Sequence, residues 1–208
     1  MTTNAERRQA ARTYLGESAD IKRRTAEECE HAILAAADLI AQSFRAGGKV
    51  LLCGNGGSAA DCQHMATEFV SRLTKDFERP GLPAIALTTD TSFLTAFAND
   101  CGFEGVFERQ VQALGRPGDV LIGISTSGNS PNVVRAVRVA RAAGLHSVVL
   151  TGAHGLLAGL ADVAISVPST NTQHIQEAHL AIEHLICWLV ERDLFPSPAP
   201  PTAVNIKS

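Results

Sequence analysis

Two stretches of this chain follow one plan: Lys49–Ser58, KVLLCGNGGS, and Asp119–Asn132, DVLIGISTSGNSPN. Each passes from a short apolar run, through a loop of Gly, Ser, Thr and Asn, into a helical pattern. The backbone N–H groups of such a loop, with the N-terminus of the next helix, favour an anion. In the second loop the hydroxyls of Ser125, Thr126, Ser127 and Ser130 add donors, and the loop itself holds no Lys or Arg. That chemistry suits a compact phosphate monoester with polar neighbours better than a triphosphate. Between the loops, His64 and Glu68 stand four residues apart on the helix expected after Ser58. A phosphate cradle, a sugar-like polar loop and a metal or acid/base pair together point to a phosphosugar enzyme.

The first loop, Gly54-Asn55-Gly56-Gly57-Ser58-Ala59, also matches the dinucleotide fingerprint GxGxxA, which makes a nicotinamide cofactor a competing reading. That fingerprint wants an acidic residue about 20 positions on, at the end of the second strand. The first candidate here, Asp90, lies 36 residues beyond Gly54. A dinucleotide also gives no reason for STSGNS on the third strand.

Asp61, His64 and Glu68 fall on one stripe of a helix, beside an apolar face of Met65, Phe69 and Leu73. A polar stripe can be merely a solvated face. This one leaves a phosphate loop, which turns it toward the pocket. His and Glu at this spacing can hold one metal ion from a single helix face, and Glu68 can equally serve as a general base. The last helical segment carries Gln176, Glu177, His179, Glu183 and His184. Gln176 and His184 are separated by a rise of roughly 12 Å and a rotation of about 80°. One copy of that helix brings both to one ion only awkwardly, so if both serve one site, different subunits supply them. His174 and His179 are less committed, and His31, His146 and His154 read as structural or exposed.

The elements that must hold these groups follow from periodicity. Asp20 to Phe44 reads as a helix, stopped by Gly47-Gly48. Strands are expected at Val50–Cys53, Ala84–Leu87, Val120–Ile124, His146–Leu150 and Val163–Val167. Helices are expected at Ala59–Leu73, Ser92–Phe97, Glu104–Leu114, Pro131–Ala143 and Thr172–Arg192. Short apolar strands alternating with helices describe an α/β fold: a three-layer αβα sandwich on a five-stranded parallel sheet. Ligands of such sheets bind beyond the carboxyl ends of the strands, where both loops fall. Residues 1–46 read as an N-terminal helical extension, 47–193 as the α/β domain, and 194–208, rich in proline, as a disordered tail. The first and last helices carry wide apolar faces, which points to oligomerisation through helices.

The formal charge of −3 argues against broad binding to nucleic acid. Five cysteines, odd in number and without CxxC spacing, suit free thiols in a reducing compartment. The N-terminal MTTNAERRQAARTYLG has no apolar core of a secretory signal, and no run approaches a membrane span. A soluble cytoplasmic protein is expected.

Four segments in order, GNGGSAADCQHMATEF, LTTD with FANDCGF, GDVLIGISTSGNSPN and HIQEAHLAIEH, closely resemble the phosphoheptose isomerases, members of the sugar isomerase (SIS) domain family. The resemblance runs from about residue 20 to 192. It implies the SIS fold, a homotetramer with active sites between subunits, and one zinc ion per subunit. It implies conversion of sedoheptulose 7-phosphate to D-glycero-D-manno-heptose 7-phosphate through an enediol, the first step toward nucleotide-activated heptose. Carried over position by position, His64, Glu68, Gln176 and His184 resemble the zinc ligands, and Glu68 and His184 the acid/base pair. Asn55, Gly56, Gly57, Glu68, Asn99, Asp100, Ser125, Thr126, Ser127, Ser130 and Gln176 match substrate-contacting positions. Asp61 lies in the same motif and would orient the site. Ser169–Gln173 is a segment that differs among the relatives, and nothing is carried over there. The rival reading is a non-catalytic SIS protein that binds phosphosugars or a replication initiator. The chain shares an ERPGLPAIAL-like stretch with that class, but such proteins lack the acid/base pair.

Overall fold

The computed structural model describes residues 2–75 and 77–195. In chain order the elements are α1 (Asn4–Glu28), α2 (Glu30–Arg45), β1 (Val50–Gly54), α3 (Gly57–Val70), β2 (Ala84–Ala86), α4 (Thr91–Cys101), α5 (Val106–Leu114), β3 (Val120–Ser125), α6 (Pro131–Ala142), β4 (His146–Thr151), β5 (Val163–Ser166) and α7 (Thr172–Leu194). The five strands form one parallel sheet in the order β2-β1-β3-β4-β5. The expected αβα sandwich is therefore present.

The central strands β1 and β3 are buried at every position, as strands covered on both faces must be. Alternate residues feed two cores. Leu52, Ile122, Ile124 and Leu150 pack against α2, α3 and α7. Leu51, Cys53, Leu121 and Val149 pack against α5 and α6, with Phe97 of α4 at the margin. The chain leaves β1 for the edge strand β2, then returns to place β3 on the other side of β1. At this reversal the loops after β1 and β3 lie together at the carboxyl ends of their strands, which is where ligands of such sheets bind.

The N-terminal region differs from the expected single helix over Asp20–Phe44. Helix α1 begins at Asn4, capped by a reciprocal Thr3–Glu6 pair, and a break at Cys29 separates it from α2. The first turns of α1 escape periodicity because they bury almost nothing: Ser18 and Thr25 are its only buried residues. The expected disordered tail began at residue 194. Leu194 instead ends α7, and it and Phe195 pack on the core. The rest of that segment, 196–208, lies outside the described residues.

Helix α7 runs alongside α3 and makes three successive polar contacts with it or with the segment just after it. The Gln176 amide donates to Asp61 at 3.3 Å. His184 meets His64, Nε2 to Nε2, at 2.7 Å. Glu191 accepts from the Leu73 N–H at 3.1 Å. Residue numbers rise together on both sides, so the two helices run parallel, as both leave carboxyl ends of strands in one parallel sheet.

Candidate functional site

Helix α3 starts directly from the first loop. Gly56, its N-cap, has φ +56°, in the left-handed region where glycine is at no steric disadvantage. At Gly57 the end of the Gln176 side chain lies where a β-carbon would stand, so a larger residue there would displace that amide.

On that seam His64, Glu68 and His184 converge, with one ligand atom from each lying within 4.8 Å of the others. His64 Nε2 is 3.6 Å from Glu68 Oε1. Two imidazoles and a carboxylate are a donor set that suits zinc, which takes nitrogen and carboxylate oxygen at about 2.0–2.2 Å. Tetrahedral ligands at that range stand about 3.3 Å apart, so the rings need to part only slightly to accept an ion. The residues present fit the metal. Gln176 occupies the previous step of the seam, against Gly57 and Asp61. The structure thus brings three of the four expected ligands together and sets Gln176 beside them on Asp61, whose carboxyl is pushed above its ordinary value by burial, opposed by the Gln176 hydrogen bond and by His64.

Arg79 fixes this seam from below. Its buried guanidinium donates to Glu191 at 2.7 Å and to the backbone carbonyls of Glu68 at 2.6 Å and Phe69 at 2.7 Å. One side chain therefore ties the end of α3, at the Glu68 turn, to α7 two turns beyond His184. Arg79 of the ERPGLPAIAL stretch is thus engaged inside the chain.

The second loop is also preorganised. Ser125 Oγ lies 2.9 Å from Ser130 Oγ and 3.4 Å from Ser127 Oγ. Ser127 Oγ accepts from the Asn129 N–H. Thr126 and Ser130 are half-buried and Ser127 is exposed, at the foot of α6. Asn55 of the first loop pairs reciprocally with Asn132 of α6. Asn132 is the contact that sequence reasoning missed, although it closes the SGNSPN motif. Asn99 and Asp100 lie exposed at the end of α4, hydrogen-bonded to each other. Among the described hydrogen bonds, none joins them to either loop.

Deeper in α7, two buried ionisable groups stand beside the site. Burial holds His179 down at about 4 despite its 3.2 Å contact with the Thr151 carbonyl. Burial, reinforced by Asp61, pushes Glu183 up to about 9, and neither carboxyl oxygen has a partner among the described residues. His31, His146 and His154 are exposed, as expected. All five cysteines are free, four of them buried.

A parallel sheet with paired Gly/Ser loops at its reversal and a histidine–carboxylate seam defines the class. The chain belongs to the SIS domain family, whose sequence model matches residues 13–152. It is 58% identical over 179 residues to a phosphoheptose isomerase of Roseiflexus sp. (strain RS-1), covering 86% of this chain and 90% of the relative. The solved phosphoheptose isomerase of Neisseria gonorrhoeae is 43% identical, with a TM-score of 0.82, covering 88% of this chain and 97% of its own. That of Francisella tularensis is 37% identical, with a TM-score of 0.86, covering 92% and 100%. Within the SIS family, the chain stands among the phosphoheptose isomerases.

Proposed function

We propose that this chain is an aldose–ketose isomerase that converts sedoheptulose 7-phosphate to D-glycero-D-manno-heptose 7-phosphate through an enediol. The observation that carries this reading is the convergence of His64, Glu68 and His184 beside two polar loops at the carboxyl ends of β1 and β3. The reaction moves a proton between C1 and C2 of the sugar and leaves the carbon count and redox balance unchanged. Glu68 takes the carbon-bound proton as general base and returns it to the neighbouring carbon. His184 moves protons at the sugar oxygens. The Ser125, Thr126, Ser127 and Ser130 hydroxyls, with the N-terminus of α6, bind the phosphate and fix the reacting end by orientation. Asn55, Gly56, Gly57, Asn99 and Asp100 contact the sugar.

One zinc ion per subunit, held by His64, Glu68, Gln176 and His184, would act as a Lewis acid at the sugar oxygens. The chain assembles as a homotetramer with active sites between subunits. Exposed Leu34, Leu180, Leu185 and Trp188 on α2 and α7 supply apolar surface for such contacts. A partner's residues would then complete the open side of each site. No helix among the described residues is long and apolar enough to cross a membrane, and we place the enzyme in the cytoplasm, where its phosphosugar substrate is made.

The test is turnover of sedoheptulose 7-phosphate by the purified protein, with and without a chelator. Aldoheptose 7-phosphate formation that is lost on chelation and restored by zinc supports the reaction and the metal together. A folded protein that binds the sugar phosphate without converting it defeats the reading.

A further inference from the structure

The two substrate loops are joined by a single side-chain ring. Asn55 Nδ2 donates to Asn132 Oδ1 at 2.9 Å, and Asn132 Nδ2 donates to Asn55 Oδ1 at 2.8 Å. Asn132 Oδ1 also accepts the Val133 N–H at 3.0 Å. That backbone donor settles which way the Asn132 amide faces, and the ring then settles Asn55. An amide offers two N–H donors and two acceptor lone pairs. The ring uses one of each on Asn55 and leaves one of each on a half-exposed side chain.

Asn55 needs this support. It sits between Gly54 and Gly56, and glycine neighbours leave its backbone unusually free. Asn132, by contrast, is anchored in the first turn of α6 and is only 3% exposed. It is too enclosed to meet a ligand directly, whereas Asn55 is half-exposed.

We propose that Asn132 is a positioning residue for the phosphosugar, acting through Asn55 by holding that amide in one orientation and by coupling the sugar loop to the phosphate loop. The inference rests on the reading of Asn55 as a sugar contact. A phosphate seated at the foot of α6 and a sugar hydroxyl held by Asn55 are thereby bound as one unit, so the ring serves the binding of the whole phosphosugar, in ground state and transition state alike.

A double-mutant cycle tests it, using Asn55→Ala, Asn132→Asp and the double variant of the full chain. Asn132→Asp keeps the acceptor for Val133 and adds a negative charge at a helix N-terminus, where it is favourable, but it loses the donor to Asn55. The readouts are KM and kcat for sedoheptulose 7-phosphate, its Kd by calorimetry, and the melting temperature. In the wild-type background Asn132→Asp is expected to raise KM and Kd about five- to tenfold, the scale of one neutral hydrogen bond. The melting temperature should not fall, and kcat should stay within about twofold. In the Asn55→Ala background the same change should cost less than about twofold, since residues that act as a unit are not additive. An equal rise in both backgrounds would mean that the new charge repels phosphate directly, and it overturns the inference, as does an unchanged KM. Should Asn132→Asp lower the melting temperature, Asn132→Ser enters the same cycle under the same two criteria. A wild-type chain that neither binds nor converts the sugar overturns the functional reading and this inference with it. Conversion by wild type with additive losses overturns this inference alone.

Discussion

Nε2 of His64 and Nε2 of His184 face each other at 2.7 Å, although 120 residues separate them in the chain. Two ring nitrogens aimed at one point are a site for an electrophile, a proton shared between them or a metal ion. With Glu68 Oε1 3.6 Å from His64 Nε2, the donor set favours the metal.

Zinc should therefore bind in a ratio of one per chain. His64→Ala should weaken it more than about 100-fold, since changes outside the ligand shell already cost roughly 10- to 100-fold. Competition titration against a chromogenic chelator reads this without any activity measurement. Unaltered affinity would remove His64 from the ligand set.

Glu68→Gln keeps the size of the side chain and removes the base. Turnover should drop by about 10²- to 10⁴-fold, with binding of sedoheptulose 7-phosphate retained in calorimetry. Because Glu68 also faces the metal position, zinc content is measured in parallel; turnover near wild type would remove Glu68 from the base role.

Ser127 is the exposed member of the serine cluster, and the proposed function assigns it to the phosphate. Ser127→Ala should raise KM about tenfold or more, the scale of a hydrogen bond to a charged group, with little change in kcat. A fall in kcat at constant KM would separate Ser127 from phosphate binding.

Arg79 and Glu191 form a buried ion pair, their side chains 0% and 2% exposed. Arg79→Met leaves a buried carboxylate with only the Leu73 N–H for a partner and should cost about 3–5 kcal/mol, whereas adding Glu191→Leu should recover much of it. Urea denaturation of the three proteins decides this. A double variant as unstable as Arg79→Met would show that the guanidinium bonds to the Glu68 and Phe69 carbonyls outweigh the pair.

His179 sets a pH dependence. Its folded value, about 4, lies below the ordinary 6.5, so below pH 6.5 the unfolded chain takes up a proton that the folded chain refuses. The His179 contribution is fully present above about 6.5 and is lost as the pH drops toward 4, by up to about 3 kcal/mol. Glu183, held up at about 9, acts in the opposite sense over the same range. The check is therefore a difference in denaturation midpoints: between pH 7.5 and 4.5, His179→Gln should gain stability relative to wild type as the pH falls.

Arg79 shows why part of the site was hidden in the sequence. Nothing in its spacing to Glu68 or Glu191 marks a contact, because a buried ion pair leaves no periodic trace. The loops, by contrast, were legible because their chemistry is contiguous: backbone donors, hydroxyls and a helix start all lie within a few residues. His64 and Glu68 were legible for the same reason, being one helical turn apart. Helix α1 was only partly legible, since hydrophobic periodicity reports burial and its first turns bury almost nothing.

By itself the sequence determined the alternation of strands and helices, the parallel sheet and the two Gly/Ser loops that open α3 and α6, because these rest on local propensity and on periods of two and 3.6 residues. Tertiary structure alone decided which groups meet. It set α7 parallel to α3, so that His184 reaches His64 and Glu68 while Gln176 rests on Asp61. It also turned Asn132 inward to hold Asn55. Those pairings depend on how the helices cross the sheet, and that is fixed by the packing of the core as a whole rather than by any short stretch of chain.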